Sequence, residues 1–112
     1  MIKPDSLDDL RKIYGDVRVM HEAGIDYIFI PELSISTSKG VHTMCALLCP
    51  TQHPSGYMTR LFLACPLHHA GQSQNWTEHR ILDRAWHTWS WQNVDANQTL
   101  AQILVSHMRA LR

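Results

Sequence analysis

Hydrophobic residues recur at helical spacing at both ends of the chain. Near the start, Leu7, Leu10 and Ile13 lie three residues apart, and Gly15 can end a helix after them. A second apolar stripe recurs every three or four positions through residues 100–111. These patterns predict an amphipathic helix at each end, each with one apolar face to bury.

Between these helices, four stretches have the composition or the alternation of β-strands. They are residues 16–19, 27–30, 44–49 and 57–65. Their order along the chain, with turn residues between them, predicts an antiparallel meander. Pro31 has no N–H to donate, so we expect it to shorten the second strand or to place that strand on a sheet edge. The polar residues 34–40 predict a mobile loop.

The segment over residues 80–91 contains Trp86, Trp89 and Trp91. Their spacing fits neither a clean helix nor a clean strand. Three large aromatic side chains so close together predict an ordered, half-buried segment, which we interpret as an irregular loop held by its aromatic residues. The order of helix, four strands, irregular loop and helix predicts an α+β fold with both helices on one side of an antiparallel sheet.

Length and charge narrow the class of protein. A chain of 112 residues predicts one domain over residues 1–112. The formal net charge of zero gives no general electrostatic reason to bind nucleic acid or an anionic membrane. No apolar run approaches the roughly 20 residues that a transmembrane helix needs. Three cysteines and no signal peptide predict a cytoplasmic protein.

Two short sequences, Ile81-Leu82-Asp83 and Trp89-Ser90-Trp91, together resemble the active-site region of the ubiquitin-conjugating (UBC) family. In that family, a catalytic cysteine opens a Cys-Leu-Asp sequence, and Trp-Ser-Pro follows at a similar offset. The residues that match are Leu82, Asp83, Trp89 and Ser90. Ile81 replaces the nucleophile and Trp91 replaces the proline. Arg84 with residues 86–90 also resembles the arginine and the Trp-x-x-Trp-Ser run of divergent prokaryotic UBC-like proteins.

The resemblance continues upstream of the tryptophans. Tyr57, Phe62 and His68 stand where the family has a Tyr-Pro, an aromatic residue in its fourth strand and a His-Pro-Asn sequence. Asn75 would approximate the family's oxyanion-stabilising asparagine if its loop folds back. The resemblance therefore implies a minimal UBC-like domain.

The same resemblance implies a role in a bacterial ubiquitin-like protein conjugation system. The expected partners are a ubiquitin-like protein and its adenylating (activating) enzyme, with no cofactor. A thioester needs a thiolate as nucleophile and leaving group, which Ile81 cannot supply, so we expect noncovalent binding. The predicted partner-binding residues are His68, Asn75, Trp76, Ile81, Asp83, Trp86, Trp89, Ser90 and Trp91.

A relocated thiol is the catalytic alternative. Cys65 follows a predicted strand and precedes His68 and His69, so a nearby imidazole could activate it. Cys65 is otherwise expected to pack as a small apolar side chain. His87 is a candidate catalytic base beside the Ser90 hydroxyl, but we favour hydrogen-bonding support of the tryptophan segment by both residues.

Three further hypotheses about function remain open. Zinc could bind among Cys45, Cys49, Cys65 and the two histidines at 68 and 69, which would make the chain a metal-binding module. The tryptophans could stack on nucleic acid, although the neutral chain disfavours this. The domain could also bind another kind of protein through its tryptophan-rich surface.

Overall fold

The structure is a computed structural model that describes residues 4–54, 56–67, 76–89, 91 and 94–111. The helices are α1 (Pro4–Tyr14) and α2 (Leu100–Arg109). The strands are β1 (Arg18–Glu22), β2 (Ile25–Thr37), β3 (Gly40–Cys49), β4 (Arg60–Leu63), β5 (Trp76–Ile81) and β6 (Arg84–Trp89). Neither helix in these ranges is long and apolar enough to cross a bilayer.

The strands of the described residues form one six-stranded antiparallel sheet in the order β1-β2-β3-β4-β6-β5. The prediction of an α+β fold with an antiparallel sheet is confirmed. The predicted strand number is too small because residues 76–89 form a further hairpin beyond β4. The predicted irregular loop over residues 80–91 is therefore wrong for residues 80–89.

Strands β2 and β3 are longer than predicted, and residues 34–40 are not a loop. Leu33 and Ile35 are fully buried and alternate with the exposed Ser34 and Ser36, which is the period of a strand with one covered face. The β2–β3 register shifts between Ile30 and Leu33, a bulge that spans the proline at position 31. Proline is tolerated at a bulge because the hydrogen-bond ladder is already interrupted there, so this strand is neither shortened nor at an edge.

The two helices cover one face of the sheet. A core of alternate strand residues and the apolar stripes of α1 and α2 fills this space, including Leu10, Ile28, Leu61, Ile103 and Leu104. The stripe of α2 and, on α1, Leu7 and Leu10 are the ones that the spacing predicts, whereas the prediction is wrong for Ile13, which is 62% exposed. Thr99 caps α2 in a reciprocal capping box with Gln102.

The opposite face of the sheet carries a second apolar cluster. Neighbouring strand residues point to opposite faces, so Tyr27, Leu47 and Phe62 lie on the other side from the helix-covered core. Cys49, Ile81 and Trp86 complete this cluster of buried residues, which we call the second cluster. Since the helices lie on the other face, another element must exclude water from it.

Candidate functional site

The tryptophan-rich segment forms the β5–β6 hairpin. Its register runs from the pair Trp76 and Trp89 to the pair Ile81 and Arg84. Leu82 and Asp83 make the turn, with φ of 55° and 59°. Two successive residues with positive φ are typical of the type I′ turn, which suits the twist of a hairpin.

The tryptophan spacing now has a physical explanation. Trp86 and Trp89 are three residues apart on one strand, so they point to opposite faces of the hairpin. Both are only 2% exposed because each face packs against a different apolar cluster. A strand with two buried faces shows no simple alternation of apolar and polar residues, and this hid β6 in the sequence.

The base of the hairpin belongs to the helix-covered core. Trp89 packs against Trp76 with ring centroids 5.1 Å apart and meets His107 of α2 edge to face at 6.3 Å. His107 Nε2 lies 2.8 Å from the hydroxyl of Thr59, which donates to the Val94 carbonyl at 2.9 Å. Burial, and secondarily the charge of Arg60, lowers the pKa of His107 to about 4. A neutral imidazole thus joins α2 to the base of the hairpin.

The tip of the hairpin crosses the second cluster. Trp86 meets Phe29 of β2 edge to face at 6.4 Å, and its Nε1 donates to the Ile81 carbonyl at 3.2 Å. The guanidinium of Arg84 lies 4.7 Å from the Trp86 ring centroid and donates to Cys45 Sγ of β3 at 3.0 Å. These contacts place the hairpin above β3 and β2.

The turn also contacts the far edge of the sheet. The backbone N–H of Leu82 donates to Glu22 Oε2 at 3.0 Å. Glu22 lies on β1, the edge strand farthest from β5 in the sheet order. The hairpin therefore arches across the face opposite the helices and covers the second cluster together with His53 of the β3–β4 connection.

The imidazoles of His53 and His79 lie between the hairpin and the sheet, near the buried guanidinium of Arg60. The rings of His53 and His79 are 6.2 Å apart, and both contact the Phe62 ring, at 5.3 and 5.6 Å. Tyr27 Oη lies 3.3 Å from His53 Nε2. Burial, followed by the charge of Arg60, lowers the pKa of His53 to about 4 and also lowers the pKa of His79. Burial raises the pKa of Tyr27 to about 12.

Arg60 is held within the same face of the sheet. Its guanidinium lies 4.0 Å from the Tyr57 ring centroid, and Nε donates to the Thr88 hydroxyl at 3.2 Å. Burial lowers the pKa of Arg60. Its positive charge adds to the larger effect of burial in favouring the neutral form of the nearby imidazoles.

The predicted partner-binding residues fall into separate environments. Ile81 is 4% exposed and packs in the second cluster, while Asp83 lies exposed on the turn. Trp86 and Trp89 are buried, and Trp76 is half-buried. Trp91 is 37% exposed and can meet a partner directly. The other predicted partner-binding residues, His68, Asn75 and Ser90, lie outside the described residues.

The two candidate catalytic residues also differ in their surroundings. Cys65 is exposed, so the expectation that it packs in a core is wrong, whereas Cys49 is buried. His87 is partly buried, and its Nε2 lies 4.0 Å from Glu78 Oε1 across the hairpin. Within the described ranges, no three His, Cys, Asp or Glu side chains are grouped to hold a metal ion. His68 and His69 of the zinc hypothesis lie outside those ranges.

Several residues of this site gave no signal in the sequence. Glu22 lies within the turn predicted between the first two strands, and its contact with Leu82 spans 60 positions of the chain. His53 lies in a polar stretch between strands, and His79 in a segment interpreted as a connection. The continuous apolar run over residues 27–30 is typical of a strand with two buried faces. It is the sequence signal for the second cluster.

No family model, curated protein or solved structure matches this chain. The geometry of the hairpin and the sequence resemblance to the UBC family are therefore the grounds on which a function rests.

Proposed function

We propose that this chain is a UBC-like component of a bacterial ubiquitin-like protein conjugation system. It binds a ubiquitin-like protein, its activating enzyme, or both, without forming a thioester at the usual position. The observation that supports noncovalent binding is the identity and the burial of Ile81. This residue stands where the family has its cysteine, and its side chain is 4% exposed.

The chemistry of Ile81 and its burial support the same conclusion. An aliphatic side chain can neither attack an acyl group nor leave from one. The Ile81 carbonyl accepts a hydrogen bond from the Trp86 indole, which keeps this part of β5 against the second cluster. A partner's tail could reach the turn at Asp83 but not the Ile81 side chain in this arrangement.

The proposed binding surface is the outer side of the hairpin, and the sequence resemblance adds residues 67–76, which precede the hairpin along the chain. Arg80 and Asp83 are exposed charged residues near the turn, and Trp91 supplies exposed aromatic area beyond β6. Tryptophan and arginine are enriched among the residues that dominate binding free energy. Burial of Trp86 and Trp89 gives them a supporting role, since they fix the hairpin that presents these groups.

A binding and conjugation experiment tests this function. The purified chain is mixed with a candidate ubiquitin-like protein, its activating enzyme and ATP, and binding is measured by titration beside non-reducing gel electrophoresis. We expect a complex without a covalent adduct, and about tenfold weaker binding for Trp91→Ala. Ile13→Ala is the matched control, because Ile13 is 62% exposed on α1, away from the hairpin. Equal weakening by both variants, or no binding at all, would contradict the proposal.

A relocated thiol is the second candidate function, and the exposure of Cys65 favours it. In that mechanism the Cys65 thiolate attacks the adenylated carboxyl terminus of the partner, releasing AMP and forming a thioester. The same reaction mixture would then contain an adduct that a reducing agent cleaves and that Cys65→Ala abolishes. Loss of the adduct in Cys65→Ala but not in Cys45→Ala would replace the noncovalent proposal with this one.

A further inference from the structure

The tip of the β5–β6 hairpin is attached to the sheet through side chains more than through backbone pairing. Among the described residues, β6 pairs with β4 at one register position, Leu63 with His87. The neighbouring β3–β4 pairing has four such positions. Beyond that point the tip depends on side-chain packing, on the bond from Arg84 to Cys45 Sγ and on the bond from the Leu82 N–H to Glu22. The base, in contrast, is anchored by Trp76 and Trp89 in the helix-covered core.

Titratable side chains lie between this tip and the sheet. His79 is on the hairpin and faces His53, which lies in the connection between β3 and β4. The charged or titratable groups that act on this pair are Tyr27 of β2 and Arg60 of β4. The same face also carries Glu22 of β1, Cys45 and Cys49 of β3, Tyr57 before β4 and Arg84 of β6.

We propose that the hairpin tip, residues 79–86, is a pH-sensitive strap that lifts from the second cluster when His53 and His79 become protonated. The base of the hairpin and the helix-covered core keep their structure during this motion. Lifting uncovers the apolar side chains of Tyr27, Leu47 and Phe62.

Charge repulsion and desolvation drive the motion. With the strap closed, protonation would place two imidazolium groups beside the buried Arg60 guanidinium. Lifting the strap admits water to all three charges. Because its pKa is lowered in the closed state, a neutral imidazole favours the closed strap at pH values above its ordinary pKa. This preference is lost as the pH falls toward the lowered pKa.

The expected size of the effect follows from His53. Its pKa falls from 6.5 to about 4 in the closed state. If opening restores the ordinary value, linkage favours the open form about twentyfold more at pH 5 than at pH 7. Protonation of His79 acts in the same direction because burial and Arg60 lower its pKa as well.

Backbone hydrogen exchange tests the strap, and its outcome does not depend on whether the proposed partner binds. Exchange at pH 7 and pH 5 is corrected for the chemical exchange rate and compared between residues 79–86 and α2. We expect protection of the strap to fall about twentyfold between pH 7 and pH 5 and to stay well below the protection of α2 at both pH values. Strap protection equal to that of α2 would show that the strap opens only when the whole domain unfolds and would overturn the proposal, as would an unchanged strap.

Variants identify the responsible groups. The double variant His53→Gln with His79→Gln stays neutral at both pH values, so its strap should lose the pH dependence, whereas the control His42→Gln should keep it. Persistence of the full effect in the double variant would contradict the proposal. Glu22→Ala gives a second test that does not alter the histidines. It should lower strap protection at pH 7, and unchanged strap protection would contradict the proposed attachment.

Discussion

Replacing Trp86 by phenylalanine tests how firmly the hairpin packs on the second cluster. Trp86 is 2% exposed, contacts Phe29, and donates from Nε1 to the Ile81 carbonyl at 3.2 Å. Phenylalanine keeps an aromatic ring but removes the donor and part of the indole volume. Trp91→Phe is the matched control, because Trp91 is 37% exposed.

The magnitude follows from those two losses. Removal of the indole donor costs about 1 kcal/mol when its buried acceptor loses a partner. The unfilled volume left by the smaller ring costs about 1 kcal/mol more. Trp86→Phe should therefore lower the free energy of unfolding by about 2 kcal/mol, whereas an exposed substitution such as Trp91→Phe should change it by less than about 0.5 kcal/mol. Small domains are stable by about 5–15 kcal/mol, so the Trp86 variant should still fold.

Urea unfolding followed by far-ultraviolet circular dichroism measures this difference. With a slope of about 2 kcal/mol per molar urea, the midpoint of Trp86→Phe should fall by about 1 M. Equal midpoints for the wild type and both variants would refute the packing of the hairpin tip on the sheet. A similar loss in both variants would show that Trp91 is as well packed as Trp86.

Three other outcomes follow from named residues. Ala23→Asn should raise the free energy of unfolding by about 0.5 kcal/mol in chemical denaturation, because Ala23 has a φ of 52° before Gly24 and asparagine tolerates this conformation better. The neutral form of His107 is favoured in the folded state, with its pKa lowered from 6.5 to about 4. Its contribution is therefore lost as pH falls from about 6.5 toward 4, by about 2 kcal/mol at pH 5, and His107→Gln should show a smaller drop in urea midpoint between pH 7 and pH 5. Native thiol labelling should modify the exposed Cys65 within minutes and the buried Cys49 only on unfolding, and equal rates would contradict their assigned environments.

The two helices could be predicted from sequence because each has one buried face. Leu7 and Leu10 on α1, and Ile103 and Leu104 on α2, lie in the helix-covered core as their spacing indicates. The extension of β2 was also present in the sequence as the alternation of Leu33 with serine. Residues 34–40 nevertheless have the composition of a loop, because serine, threonine and glycine dominate there.

The hairpin could not be predicted in the same way. The Leu82-Asp83 turn lacks the Asn-Gly or Asp-Gly sequence that usually marks a type I′ turn. Its conformation is stabilised by contacts formed only in the folded chain, including the bond from the Leu82 N–H to Glu22. Long-range contacts of this kind leave no local pattern in the sequence, so the position of the hairpin over the second cluster cannot be predicted from it.

The hairpin buries Ile81, the position that the sequence resemblance aligns with the cysteine of the UBC family. Thiol reactivity at position 81 tests this burial most directly. Ile81→Cys and the control Asp83→Cys are made in a background with Cys45, Cys49 and Cys65 replaced by serine, and each thiol is labelled under native conditions at about pH 7.5. Ile81 is 4% exposed and Asp83 lies on the exposed turn, so labelling at position 81 should be at least about a hundredfold slower than at position 83. Comparable rates at the two positions would contradict the account.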